Sequence, residues 1–294
     1  MGQSKSVLVV GADSFIGNAL MFHLTKCGYN AVGTTVRRPP SPTHHSSLFL
    51  DLRDPCGWRA PQVFEAAVIC AGITKGSQCT KDPEGSAQVN VIGTLRILNQ
   101  LVQNGSFVIL LSSNQVFDGW SPYPTPTDRV CPKTEYGRQK ADLEGRVMGH
   151  KSVAILRLTK VFPPMPPILV QWLKALRNGE PIHPFSDLPV APVSSGDATE
   201  LVLRVIGAHS SGIHHLSGDR DITYQRIAEY VASAIGASTD LIRPVRAECS
   251  RDLCEYVPQH TTLDCRQTFL DLHINPIASW QTVENSVSTC VAEK

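Results

Sequence analysis

Short apolar runs rich in β-branched residues alternate along the chain with stretches of helical period, the pattern of a parallel sheet covered by helices on both faces. Residues 7–10 (VLVV) are apolar at every position, as a strand buried on both sides requires. Ile16, Leu20, Leu24 and Cys27 then recur at helical spacing, and Gly28 supplies a stop. Further strands are expected at 31–36, 47–50, 66–70, 107–111, 153–156 and 212–216, with helices at 85–104 and 135–148 among them. After Phe162 the pattern changes. "PPMPP" interrupts regular structure, and "GEPIHPFSDLPVAPVSS" reads as a long proline-rich connection. A helix with Ile227, Val231 and Ile235 on one face follows, then a loop-rich tail. The strand at 212–216 is expected to return to the main sheet. The reading is therefore a larger α/β domain, 1–162 plus 197–217, and a smaller discontinuous lobe, 163–196 plus 218–294.

Composition adds mainly exclusions. Over 294 residues, 42% hydrophobic and 18% charged residues describe an ordinary globular chain, and a net charge of +1 gives no sign of a nucleic-acid or membrane surface. No apolar run is long enough to span a bilayer, and no leader precedes the first strand. Nine cysteines without a C-x-x-C pair suggest reduced thiols and a cytoplasmic protein. Cys249 and Cys254 lack the spacing of a zinc site, so no metal is expected. "MGQSKS" fits the myristoylation pattern at Gly2, but reads more simply as the lead into the first strand. Asn104-Gly105-Ser106 fits the glycosylation sequon but is read as a turn.

Candidate chemistry begins in "VLVVGADSFIGNAL". In a dinucleotide loop the first glycine makes the tight turn, the second lets the backbone approach the pyrophosphate, and the third allows close helix–strand packing. Gly11 and Gly17 fit the first and third positions. Ser14 stands at the second, small enough to fit and carrying a hydroxyl that can bond a phosphate. The motif follows a strand and opens a helix, which favours a working loop formed by Gly11, Ser14, Phe15, Ile16 and Gly17. "GTTVRRPP" then places Arg37 and Arg38, with no acid, at the end of the second strand. Guanidinium forks suit a phosphate dianion and favour NADP(H) over NAD, the alternative being a solvated basic pair. Asp51 and Leu52 follow the third strand where an adenine could rest, and Ala71 and Gly72 leave room at the end of the fourth.

Tyr136 and Lys140 in "TEYGRQKADLE" share one side of a helix. An ammonium beside a phenol is expected to lower the tyrosine pKa. "VILLSSNQVFDG" brings hydroxyls at Ser112 and Ser113 to the carboxyl edge of a buried strand, where ligands bind.

The motifs "GADSFIG", "VNVIGTLRIL", "LSSNQVFDG", "YGRQK", "ILRLTKVF", "GIHHLSG" and "TTLDCRQTF", spread in order over the chain, resemble those of the extended short-chain dehydrogenase/reductases. More narrowly, they are similar to the dTDP-4-dehydrorhamnose reductase family. The resemblance implies a Rossmann-type doubly wound parallel sheet that binds NADP(H), with a smaller substrate-binding lobe. It implies a proton donor at Tyr136, a tuning and ribose-holding lysine at Lys140, and an orienting hydroxyl at Ser113 rather than Ser112. Asn90 matches a family asparagine of mainly structural role. A 4-keto sugar linked to a nucleotide is the implied substrate, and a homodimer is compatible with it. The substrate-facing positions depart from the family: Asn114 and Gln115 replace an acid and a tyrosine, and Lys160 replaces a tryptophan. Two other readings stay open, an NAD-retaining epimerase or dehydratase of the same fold and a non-catalytic NADP-binding regulatory subunit.

Overall fold

The computed structural model describes residues 5–37, 47–247 and 256–293. Gly2, Arg38, Cys249 and Cys254 lie outside these residues. Strand β1 (Ser6–Val10) leads into helix α1 (Phe15–Lys26), followed by β2 (Asn30–Thr35), β3 (Ser47–Phe49) and β4 (Ala66–Ile69). Two short helices, α2 (Gly76–Lys81) and α3 (Pro83–Ala87), precede α4 (Thr94–Gln103) and β5 (Phe107–Ser113). Next come α5 (Glu135–Val147), β6 (Val153–Leu158), β7 (Val161–Phe162) and α6 (Pro167–Arg177). The chain continues through β8 (Pro189–Val190), β9 (Val193–Ser194), α7 (Ser195–Ala208), β10 (Gly212–Leu216) and β11 (Ile222–Thr223). Helices α8 (Tyr224–Ala234), α9 (Arg266–Leu272) and α10 (Ser279–Ala292) complete it.

Seven strands form the main sheet in the order β10-β6-β5-β4-β1-β2-β3. Strand β1 pairs in parallel with both β2 and β4, and the order reverses direction after it, as in a doubly wound sheet. The α/β class read from the sequence is therefore the observed one. No helix among the described residues is long and apolar enough to cross a membrane.

The chain divides into two compact units. The first comprises Met1–Val116, Pro132–Arg157 and Ala198–His214, the second Phe117–Cys131, Leu158–Asp197 and His215–Lys294. The first unit's core gathers Leu8 and Val10 of β1, Ala67 and Ile69 of β4, Val108 and Leu110 of β5, and Ile97, Leu98 and Leu101 of α4. Each such Val, Leu or Ile side chain contributes about 1.5–3 kcal/mol on leaving water. The second unit packs Leu169, Trp172 and Leu173 of α6 against Ile227 and Val231 of α8 and Val283 and Val287 of α10.

Three expectations need correction. The helix expected over 85–104 is interrupted by a π-helical turn, Gln88–Gly93, between α3 and α4. At Gly93 a Cβ would stand 1.9 Å from the Leu52 carbonyl oxygen, so close backbone contact occurs within the stretch read as one helix. The "PPMPP" break holds over 163–166, but the connection after it was read without α6, which starts at the last of these prolines because proline at the first helical positions costs no hydrogen bond. The tail is not loop-rich over its last part. Helix α10 buries Thr282, Ser286, Val283, Val287 and Cys290, and its small polar residues conceal the apolar period. Asn104 caps α4, and Gly105 follows at φ +88°, so the sequon lies in a turn as read.

Candidate active site

The glycine loop is shaped by backbone crowding. Gly11 has φ +84°, and a Cβ there would lie 2.7 Å from Ala71. A Cβ on Gly17 would lie 2.2 Å from the Gly11 carbonyl, so α1 could not approach the strand so closely with any larger residue. Ser14 is the N-cap of α1, its Oγ accepting the Gly17 N–H at 3.1 Å. That leaves the hydroxyl proton of Ser14 available to an anion. The backbone N–H groups of Phe15 and Ile16, at the first turn of α1, have no partner among the described residues. Orphan donors at a helix start, a loop that any Cβ would fill and a serine hydroxyl make a fitting cradle for a pyrophosphate.

Beside it, Ala12 N–H donates to the Thr34 carbonyl and Gly11 N–H to Thr34 Oγ1, both at 3.0 Å, which fastens the loop to the end of β2. Arg37 is largely exposed and lies 3.9 Å, Nε to Oδ2, from Asp13. The acid that the second strand lacks thus comes from the glycine loop, a neighbour that sequence reasoning missed. Asp51 is half-buried and accepts the Arg53 N–H at 2.9 Å. The Leu52 side chain belongs to the first unit's core, and its carbonyl meets Gly93. Gly72 is exposed, next to Ala71. Asn90 fixes the chain just beyond them: its Oδ1 accepts Ile73 N–H at 2.7 Å, and its Nδ2 donates to Ile73 carbonyl at 2.9 Å and Gln139 Oε1 at 2.8 Å.

The tip of β5 separates two adjacent hydroxyls. Ser112 donates to Glu144 on α5, a carboxylate held by Arg157 of β6 at 2.7 Å with both side chains 1% exposed. Ser113 instead donates to Asn114 Oδ1 at 3.3 Å and accepts Gln115 N–H at 3.2 Å. Strand alternation explains the split. Gln115 is exposed, its Oε1 accepting the Thr134 hydroxyl at 3.0 Å. Thr134 also caps α5 by accepting the Gly137 N–H at 3.0 Å, which sets the register that carries Tyr136 and Lys140.

Tyr136 and Lys140 are both buried. The Lys140 ammonium donates to the Leu111 carbonyl at 2.9 Å and stands 5.8 Å from the Tyr136 ring centroid, within cation–π range. Burial pulls the Lys140 pKa down to about 8, opposed by Glu144 and by the thiols of Cys70 and Cys79. Burial also pushes the Cys70 thiol up to about 12, an effect Lys140 partly offsets. The Tyr136 phenol is raised, first by burial and then by Cys79. The expected lowering of the Tyr136 pKa by Lys140 is not observed. The lysine faces the ring and gives its hydrogen bond to a backbone carbonyl, so desolvation dominates. The buried Glu144–Arg157 pair and Gln139 were also missed, because nothing in their spacing distinguishes them from surface residues of a helix and a strand.

Lys160 belongs to the second unit, away in sequence from the other candidates. It is exposed overall, yet surrounding protein lowers its pKa by desolvation. Its ammonium has no hydrogen bond or ion pair among the described residues.

A family model, the RmlD substrate binding domain, matches residues 5–293. The chain belongs to that family. Within this RmlD-type family, the chain is similar to methionine adenosyltransferase 2 subunit beta of Rattus norvegicus, 24% identical over 89% of this chain and 81% of the relative. It is also similar to a dTDP-4-dehydrorhamnose reductase of Sinorhizobium fredii, 28% identical over 56% of this chain and 60% of the relative. Among solved structures, dTDP-4-dehydrorhamnose reductase of Bacillus anthracis in complex with NADP has the same fold, with a TM-score of 0.79 at 17% identity and 99% coverage of both chains.

Proposed function

We propose that this RmlD-family chain is an NADP(H)-dependent reductase acting on a 4-keto group of a nucleotide-linked deoxysugar. One observation carries the reading: in the first unit, buried Tyr136 and Lys140 lie on one helix, and the same unit holds a glycine loop with unpartnered N–H donors. The cofactor, when bound, supplies a hydride. Gly11, Ser14, Phe15, Ile16 and Gly17 would hold its pyrophosphate, and Arg37 would meet the 2′-phosphate, the neighbouring Arg38 lying outside the described residues. Asp51 and Leu52 border the adenine, and Ala71 and Gly72 give it room.

Tyr136 donates its phenolic proton to the carbonyl oxygen. Its raised pKa keeps the phenol protonated, as a proton donor must be before the reaction. Lys140 holds the nicotinamide ribose and, as an ammonium, stabilises the phenolate left behind. Ser113 orients the carbonyl oxygen, since the Ser112 hydroxyl is already committed to Glu144. Asn114 and Gln115 stand in the sequence where the family carries an acid and a tyrosine, and Lys160 where it carries a tryptophan. That exchange suits an acidic sugar, or a base other than thymine, better than the dTDP-linked rhamnose precursor.

A second reading is favoured by the relatives: similarity over 89% of the chain is to methionine adenosyltransferase 2 subunit beta. On that reading the chain binds NADP(H) as a non-catalytic subunit of a partner enzyme. NADPH oxidation with dTDP-, UDP-, GDP- and CDP-linked keto sugars separates the two. Turnover with one of them supports the reductase, and tight NADPH binding without turnover of any supports the subunit.

A further inference from the structure

The junction of the glycine loop and β2 holds three polar side chains in series. The Arg37 backbone N–H donates to Thr35 Oγ1 at 3.0 Å, and the Thr35 hydroxyl donates in turn to Asp13 Oδ2. Thr35 is 5% exposed, so its hydroxyl is held in one orientation. The second Asp13 oxygen, Oδ1, has no partner among the described residues. The terminal nitrogens of Arg37 likewise have none, and Nε stands 3.9 Å from Asp13. A free carboxylate oxygen and a free guanidinium fork are thus presented side by side, where the sequence suggested arginines alone.

We propose that Asp13 is a specificity-determining residue for the cofactor, set in opposition to Arg37. The inference rests on the reading of this loop as a dinucleotide site. A carboxylate oxygen accepts a hydrogen bond from a ribose hydroxyl, but it repels a phosphate monoester, whereas the guanidinium does the reverse. Thr35 holds the Asp13 carboxylate in place beside the end of β2, whereas Arg37 is exposed and stands 3.9 Å away. Within the pair Asp13 offsets the charge of Arg37, so a 2′-phosphate meets a guanidinium already partly neutralised. The wild-type chain therefore accepts both NADPH and NADH, with only a modest preference for the phosphorylated cofactor. Removing the charge of Asp13 sharpens that preference, and removing the Arg37 guanidinium weakens it.

The test is a binding titration, independent of turnover. NADPH and NADH are titrated by calorimetry into the wild-type chain and into Asp13→Asn and Arg37→Ala. In Asp13→Asn the ratio of the NADH to the NADPH dissociation constant should rise about tenfold, with NADPH binding tighter and NADH weaker. In Arg37→Ala the same ratio should fall. Adenosine 2′,5′-bisphosphate and 5′-AMP, which carry only the adenosine end, should reproduce both shifts. An unchanged ratio in Asp13→Asn, with both cofactors still bound, overturns the role of Asp13 and leaves the dinucleotide site standing. Failure of the wild-type chain to bind either dinucleotide overturns the site itself, and this inference with it.

Discussion

The Tyr136–Lys140 end of the candidate site and its Asp13–Arg37 end each set a cation beside a polar partner, under opposite conditions. Tyr136 and Lys140 are 7% exposed, and the Lys140 ammonium is fixed to a backbone carbonyl with the Glu144–Arg157 pair behind it. Arg37 is 72% exposed and stands at a loose 3.9 Å from its carboxylate. Charges in the first setting act at low effective dielectric and cannot be left unpaired without large cost. Those in the second are screened by water and shift affinities by modest factors. Deletions at the buried end should therefore threaten catalysis or folding, whereas deletions at the open end should only retune binding.

The largest effect is expected from Tyr136→Phe. It removes the proposed proton donor with little volume, so folding and NADPH affinity should persist while turnover falls about 10²–10⁴-fold. Wild-type turnover in that variant would remove Tyr136 from the chemistry and collapse the contrast at its buried end. Glu144→Gln should follow, because it removes the carboxylate charge that offsets the buried Arg157 guanidinium and leaves only one acceptor oxygen where Arg157 and Ser112 both donate. Urea denaturation should show a loss of about 3–5 kcal/mol. A loss near that of a surface pair, below about 1 kcal/mol, would mean that water reaches the pair.

How far these contrasts could be read from the sequence depended on what each residue needs to know. Strands β1, β4 and β5 were legible because they are short, largely apolar runs buried along their length. Tyr136 and Lys140 were legible because helical spacing alone puts them on one side. Asp13 was not, since its meaning depends on β1 and β2 being neighbours, which brings the glycine loop against Thr35. The Glu144–Arg157 pair was not legible either, since it depends on α5 packing against β6. In the second unit, α10 escaped notice because serines and threonines occupy buried positions that helical pattern-reading reserves for aliphatic residues.

A smaller effect sharpens the comparison through pH. The folded-state pKa of Lys140 is lowered to about 8 by burial, beneath the ordinary lysine value, so the folded chain binds fewer protons than the unfolded chain above that pH. Stability contributed at this site should therefore rise with pH between about 8 and about 10.5. Thermal unfolding of wild type against Lys140→Met should show wild type gaining on the variant across that window. A constant difference would mean that the ammonium is better solvated than its burial implies. The smallest effect belongs to the open end. Arg37→Ala should weaken NADPH binding by roughly 1–2 kcal/mol, less than a buried phosphate contact would lose, and raising the salt concentration should shrink the difference.

The central claim is reduction of a nucleotide-linked keto sugar by Tyr136, and it is tested most directly by following NADPH oxidation across the panel of nucleotide keto sugars with wild type and Tyr136→Phe in parallel. The account predicts substrate-dependent NADPH consumption by wild type with at least one sugar nucleotide, lost in Tyr136→Phe while NADPH still binds. NADPH bound tightly by both proteins and consumed by neither, with any sugar nucleotide, would contradict it and leave the binding-subunit reading in its place.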